Sequence, residues 1–296
     1  MSHKFLIYGA QGWIGSQLIT LLNNYSNIET IVGKVRVDNH IELLHEINSV
    51  YPTHIICLIG RTHGVIDGKI YPTIDYLEQK GKLVENVRDN LYSPLTLAII
   101  CQERGIHFTH LGTGCIFNNF NPITNQLEEP SFTEESLPNF FGSSYSIIKG
   151  FTDRIMHLFA NTCLNLRIRM PITNENNPRN FITKITTCKK ICSIPNSITV
   201  LPEMFPIMID LIINKQVGTI NMTNPGTISH NEILTMYKEI VDPTFTWENF
   251  SIEEQNKILA SGRSNDSLDT SKLTQLYPDI KPIKEAVKEV LLNYKL

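Results

Sequence analysis

At 296 residues, with 42% hydrophobic and 19% charged side chains, the chain has ordinary globular composition and is long enough for one wide α/β domain or a domain with a smaller lobe. A net charge of -3 and a pI near 6.3, with no block of Lys or Arg, give no electrostatic footprint for nucleic acid or a membrane surface and leave a small molecule as the expected partner. No segment approaches the roughly eighteen consecutive apolar residues of a membrane span, and the six cysteines have neither a secreted framework nor zinc spacing, so a cytoplasmic protein with reduced thiols is expected.

In chain order, KFLIYGA reads as a first strand, Gly15 to Asn23 as a helix, IETIVGK as a second strand, Ile41 to Ser49 as a helix and THIICLIG as a third strand. A longer helical pattern runs from Leu83 to Arg104. HFTHLG follows as a strand that breaks into the Gly-rich turn of HLGTGCIF, then come a helix from Tyr145 through Phe159 and a strand in LNLRIRM. Strands alternating with helices predict a doubly wound parallel sheet with right-handed crossovers. After RMPITNENNPRN the texture changes to more Pro and Asn, although TINMTNPG reads as one more strand. Ser229 with Glu232 three residues on forms a capping box that opens a helix. The expected division is therefore 1–168 as a nucleotide-binding domain, with a strand near 216–224 returning to its sheet, and 169–296 mostly as a smaller C-terminal substrate-binding lobe.

FLIYGAQGWIGSQLI places Gly9, Gly12 and Gly15 at the first strand-to-helix turn. There glycines permit a tight turn, close approach of the backbone to a pyrophosphate and tight helix packing, while helix N-H groups face the negative charge. This predicts an NAD(P)-binding Rossmann domain, with Trp13 and Ile14 in the same turn and Trp13 more a packing than a stacking residue. About twenty residues beyond the last glycine, where an acid would take the ribose hydroxyls, the chain reads GKVRVDN. Lys34 and Arg36 suit a 2'-phosphate and favour NADPH; NADH, with Asp38 as the acid, stays open. Arg61, after CLIG, is either a cofactor contact near the nicotinamide ribose or a surface cation.

SSYSIIKG sets Tyr145 and Lys149 four residues apart on one helix face. An ammonium there lowers the phenol pKa and equips Tyr145 to give a proton to a carbonyl that receives hydride. Thr113, at the carboxyl end of a strand, is placed to hydrogen-bond the same oxygen. His110, three residues earlier in that strand, reads as a core residue. None of the nine histidines has metal spacing, so no metal is expected.

With these motifs the sequence resembles the extended short-chain dehydrogenase/reductase family, whose members act mainly on nucleotide sugars. Gly9, Gly12 and Gly15 fall on its glycine motif, Thr113 on its Ser/Thr position, Tyr145 and Lys149 on its catalytic pair, and Asn90 on a helix Asn with a structural or relay role. Within it, TGCIF, PNFFGSSYSIIK, LRIRMPI, NPRNFITKI, IPNSITVLPE, NPGTISHNEIL, DPTFTWENF and RSNDSLDTSKL resemble the bifunctional 3,5-epimerase/4-reductases of UDP-L-rhamnose synthesis. Beyond those, the chain is similar to dTDP-4-dehydrorhamnose reductase and GDP-fucose synthase.

That resemblance implies conversion of UDP-4-keto-6-deoxy-D-glucose, supplied by a separate 4,6-dehydratase, to UDP-L-rhamnose. Carbons 3 and 5 of such a sugar are both alpha to the ketone, and inverting either needs a base and an acid. The resemblance gives these roles to Cys115 and Lys184, with Cys115 as base, Lys184 as acid, and the direction open. A nearby cation lowers a thiol pKa; the plain alternative for Cys115 is a packed thiol and for Lys184 a solvated helix lysine. It further implies that Thr113 and Tyr145 hold the enolate oxygen during epimerisation, that Arg263 faces the diphosphate, that Asn180 contacts sugar or diphosphate with Arg179 a weaker candidate, and that the enzyme pairs as a homodimer. Two alternatives stay open: a reductase alone, acting on dTDP-4-keto-L-rhamnose or a related sugar, and a non-catalytic dinucleotide-binding subunit.

Overall fold

Six short runs rich in β-branched and aromatic residues make one sheet: β1 (His3–Tyr8), β2 (Ile28–Val32), β3 (His54–Cys57), β4 (His107–Thr113), β5 (Cys163–Ile168) and β6 (Gly218–Asn221). The computed structural model describes residues 3–124 and 126–295. The strand order is β2-β1-β3-β4-β5-β6, and the β1–β2, β1–β3 and β3–β4 pairs are parallel. Central strands are buried on both faces, which is why they read as continuous apolar runs. Leu6, Tyr8, Ile55, Cys57 and Phe108 share one core cluster, while the alternate residues Phe5, Ile7 and Ile56 are equally buried.

The chain divides into two compact units that interleave in sequence. One takes the chain up to Thr113 with Ser144–Leu166 and Phe205–Ile220; the other takes Gly114–Ser143, Arg167–Met204 and Asn221 onward. In the first, α1 (Trp13–Leu22) follows β1 and α2 (His40–Val50) follows β2. The helix expected from Leu83 to Arg104 is present as α3, built of α-helical Leu83–Val87, a π-helical turn Arg88–Tyr92 and α-helical Ser93–Arg104. Pro94 explains the π turn, because its missing N-H leaves the Asn90 carbonyl without a helical donor. Thr152 of α4 (Ser144–Met156) supplies the replacement, donating from Oγ1 to that carbonyl at 2.7 Å.

The second unit has its own core, in which Ile172, Ile182, Ile185, Ile233, Leu234, Val287 and Leu291 pack together. Its helix His230–Ile240 opens with the expected capping box: Ser229 Oγ accepts from the Glu232 N-H, and Glu232 takes the Ser229 N-H at 2.8 Å. The segment of irregular texture also hides a helix, Leu201–Ile213, that runs through Pro206. Among the described residues no helix is long and apolar enough to cross a membrane.

Candidate active site

The strand order reverses beside β1, and the turn that leaves β1 lies at that switch point, where open α/β sheets bind ligands. Gly9 has φ +82°, and a Cβ there would lie 2.6 Å from the carbonyl carbon of Leu58, just after β3. At Gly15 a Cβ would meet the Gly9 oxygen at 2.5 Å and the Ala10 Cα at 2.8 Å, so the first turn of α1 presses directly on the loop. Gly12 donates its N-H to the Gly9 carbonyl at 3.1 Å and is exposed as the N-cap of α1, whose first turn holds no acidic residue. Trp13 Nε1 is buried with no partner among the described residues. A cradle that side chains would fill, an uncapped helix N-terminus and an orphaned indole N-H all fit a pyrophosphate.

At the end of β2, Gly33 lies against the Tyr8 ring, and the Tyr8 hydroxyl donates to Glu46 at 2.8 Å. Glu46 also takes the Lys34 N-H at 2.7 Å, which fixes the backbone of GKVRVDN. A concavity of about 360 Å³ follows, lined by Val35, Arg36, Asp38, Asn39 and Glu42. Arg36 is not a free cation there. Its Nε and Nη2 donate to Asp38 at 3.0 and 3.1 Å, which holds the Asp38 carboxyl below its usual range.

Thr113 closes β4, and Tyr145 and Lys149 lie on the first two turns of α4; all three are buried. Glu78 fixes the start of α4 by accepting from the Ser144 N-H and hydroxyl at 2.8 and 2.9 Å. Asn86 of α3 donates to Ser144 Oγ at 3.1 Å and accepts from Asn90 at 2.9 Å. Asn90 in turn accepts from the Arg61 N-H at 3.0 Å and donates to the Arg61 carbonyl at 2.9 Å. Its amide is therefore spent on structure. The Arg61 guanidinium donates to Asp89 at 2.9 Å, so it is a paired cation rather than a solvated one.

Sequence reasoning missed the role of His110. It is a fully buried residue of β4, as expected, but its Nε2 lies 3.4 Å from Lys149 Nζ. Burial, reinforced by that ammonium, keeps the imidazole far below its usual pKa, so it is neutral and offers Nε2 as an acceptor. The signal was a polar residue inside an apolar strand, three positions before Thr113.

In the second unit, Cys115 follows Gly114 and is partly exposed. Lys184 lies on the helix Phe181–Thr186 and is half-buried, not the solvated lysine of the plain reading. Burial pulls its pKa down to about 8; the charges of Arg179 and Arg263 push the same way and Cys115 pushes back. Each of those three side chains thus lies within electrostatic reach of Lys184. Asn180 corrects the expectation of a substrate contact. It is fully buried, its Oδ1 accepts from the Ile182 N-H at 3.2 Å as helix N-cap, and its Nδ2 donates to the Thr173 and Glu175 carbonyls at 2.8 and 2.7 Å. An amide with both ends satisfied and no exposure has nothing left for a sugar. Arg263 donates to the Ser261 carbonyl at 2.9 Å and is half-buried. Among the described residues no cluster of His, Cys, Asp or Glu is arranged to hold a metal.

No protein-family model matches the chain. It is 54% identical over 293 residues to protein L780 of Acanthamoeba polyphaga mimivirus, covering 99% of both chains. The crystal structure of L780, described as a UDP-rhamnose synthase, matches it with a TM-score of 0.93, covering 99% of this chain and 100% of that one. It is also 41% identical over 289 residues to a bifunctional dTDP-4-dehydrorhamnose 3,5-epimerase/dTDP-4-dehydrorhamnose reductase of Arabidopsis thaliana, covering 97% of this chain and 91% of that protein. A trifunctional UDP-glucose 4,6-dehydratase/UDP-4-keto-6-deoxy-D-glucose 3,5-epimerase/UDP-4-keto-L-rhamnose-reductase of the same plant is 42% identical over 287 residues, and the match spans 41% of its length. The chain belongs to the family of nucleotide-sugar 3,5-epimerase/4-reductases, enzymes of the extended short-chain dehydrogenase/reductase type.

Proposed function

We propose that the chain converts UDP-4-keto-6-deoxy-D-glucose to UDP-L-rhamnose, inverting C3 and C5 and then reducing C4 with NADPH. The observation that carries this reading is the partly desolvated Lys184, its pKa pulled to about 8, within electrostatic reach of Cys115. A lysine near that pKa exchanges protons at neutral pH, and a plain 4-reductase has no use for it.

Epimerisation needs a proton taken from one face of the carbon and one returned to the other. Cys115 removes the proton alpha to the ketone through its sulfur, and Lys184 supplies one from the opposite side. The charge that develops goes to the C4 oxygen, which Thr113 and Tyr145 stabilise by hydrogen bonds. In the reduction Tyr145 gives its hydroxyl proton to that oxygen, and Lys149 favours the phenolate that results. The dinucleotide, when bound, supplies the hydride. Gly9, Gly12, Gly15 and Ile14 would hold its pyrophosphate, with the Trp13 N-H beside them, while Lys34 and Arg36 would face the adenosine ribose and Arg61 the nicotinamide end. Arg263, with Arg179, would face the diphosphate of the sugar nucleotide.

Uridine as the nucleotide, a separate 4,6-dehydratase as supplier of the substrate, a cytoplasmic setting and a homodimer complete the reading. The dimer is supported by exposed apolar residues on the outer faces of α3 and α4, among them Leu83, Val84, Ile99 and Phe151. Incubation with UDP-4-keto-6-deoxy-D-glucose and either NADPH or NADH, with the product separated and identified by NMR, tests the assignment. UDP-L-rhamnose formed faster with NADPH is expected; a product reduced at C4 without inversion would leave a reductase alone.

A further inference from the structure

Arg167 lies near the end of strand β5 and Arg169 just past it, both essentially without solvent exposure. The second is a hub within its unit. From Nη1 it donates to the Gly114 carbonyl at 3.3 Å, to Ser264 Oγ at 3.0 Å and to the Asp266 carboxylate. From Nη2 it donates to the Ser264 carbonyl at 2.7 Å and to Asn196 Oδ1, which also takes the Asp266 N-H at 3.0 Å. Gly114 is held on its other sides as well: its N-H donates to the Ile168 carbonyl at 3.0 Å, and a Cβ on it would lie 2.7 Å from the Leu268 side chain.

The residue so gripped is the one before Cys115. A buried arginine-carboxylate pair adds little net stability, because desolvation offsets the attraction, but a forked guanidinium fixes orientation as a point charge cannot. We propose that Arg169, seated on Asp266, is the positioning residue of the epimerase base. By holding the Gly114 carbonyl it sets the direction from which Cys115 reaches the carbon acid, whereas Thr113, on the other side of Gly114, is fixed by its own strand, so the reduction keeps its kcat. Ser264 and Asp266 belong to the segment that carries Arg263, so loosening this hub raises KM for the nucleotide sugar in both reactions while lowering kcat in one. The inference rests on the reading of Cys115 as the base.

Two rates measured at saturating sugar test it. One is the entry of solvent deuterium at C3 and C5 of UDP-4-keto-6-deoxy-D-glucose without reduced cofactor; the other is NADPH oxidation with the already inverted UDP-4-keto-L-rhamnose. Arg169→Lys keeps the charge and loses the fork. Its exchange kcat is expected to fall about 100-fold, the scale for a misplaced reacting group, with reduction kcat within about twofold. Asp266→Asn, which keeps the shape and serves if the lysine variant does not fold, is expected to shift the two rates apart in the same direction by about tenfold. Equal losses in both rates, or no loss in exchange, would overturn the proposal. Cys115→Ser is the control on the reading beneath it: exchange at the unsubstituted rate in that variant would remove Cys115 as base, and the proposal with it.

Discussion

The two units offer their candidate groups from different materials. In the first, the nucleotide cradle is mostly backbone: three glycines, an uncapped helix end and an extended loop fixed by Glu46, with the side chains Thr113, Tyr145 and Lys149 buried beside the sheet. In the second, the proposed groups are half-buried cations and a thiol, and the state of Lys184 is set first by burial and then by the charges of Arg179, Arg263 and Cys115, the last two far off in sequence. Backbone sites tolerate no added atom, whereas side-chain sites can be retuned one charge at a time. That difference makes the two reactions separable by mutation.

The sharpest separation comes from removing the acid or the base. Tyr145→Phe is expected to lower the reduction rate by about 10² to 10⁴, the usual worth of a positioned general acid, with cofactor affinity nearly unchanged; reduction at the wild-type rate would break the comparison at once. Cys115→Ser is expected to suppress deuterium entry at C3 and C5 by about 10² or more, while already inverted sugar is still reduced.

Steric damage to the cradle comes next. Gly15→Ala places a methyl 2.5 Å from the Gly9 oxygen, and relief by backbone movement costs about 1–3 kcal/mol. A lower melting temperature and NADPH binding weakened at least about tenfold are expected together, measured by thermal unfolding and cofactor titration; unchanged binding would contradict the cradle.

The lysine of the second unit gives a pH signature. If Lys184 is the proton donor, exchange falls as pH rises through about 8, and the more basic Lys184→Arg loses that limb in a pH-rate profile. Stability carries the matching sign. The folded chain releases this proton near 8 and the unfolded chain near the usual 10.5, so the unfolded state binds more protons between them and the folded state gains stability as pH rises across that interval. A Lys184→Met chain, followed by thermal unfolding over that range, should lack the gain.

The smallest effect belongs to Arg36. Asp38 already pairs with it on an exposed surface, where such pairs are worth about 0–1 kcal/mol, so Arg36→Ala is expected to change the NADPH to NADH preference only about fivefold or less. A loss of 100-fold, well beyond that roughly fivefold bound, would show that the cofactor takes Arg36 away from Asp38.

What could be read from the sequence follows the same line between backbone and side chain. The alternation of strands and helices, the glycine turn and the spacing of Tyr145 and Lys149 are local patterns, and the sheet and helices stand where those patterns put them. The helix through Pro206 escaped because tertiary burial of Met204, Phe205, Met208 and Ile209 outweighs a proline's local penalty. The π turn at Asn90 needed Thr152, 62 residues away, to replace the donor that Pro94 lacks. Asn180 is expected at the sugar or diphosphate only because the resemblance implies it, and its burial as the cap of its own helix depends on the Thr173 and Glu175 carbonyls that the motif does not show. His110 beside Lys149 and Arg169 on Asp266 were invisible for a simpler reason: a buried polar side chain is explained by its partner, and these partners lie 39 and 97 residues away.

One measurement tests the central claim most directly: incubation of the single chain with UDP-4-keto-6-deoxy-D-glucose and NADPH in deuterated water, with the product read by NMR. UDP-L-rhamnose carrying deuterium at both C3 and C5 is the predicted result, since inversion passes each carbon through an exchange with solvent. A product reduced at C4 with protium still at C3 and C5 would contradict it, and Cys115 and Lys184 would then have no part in the reaction.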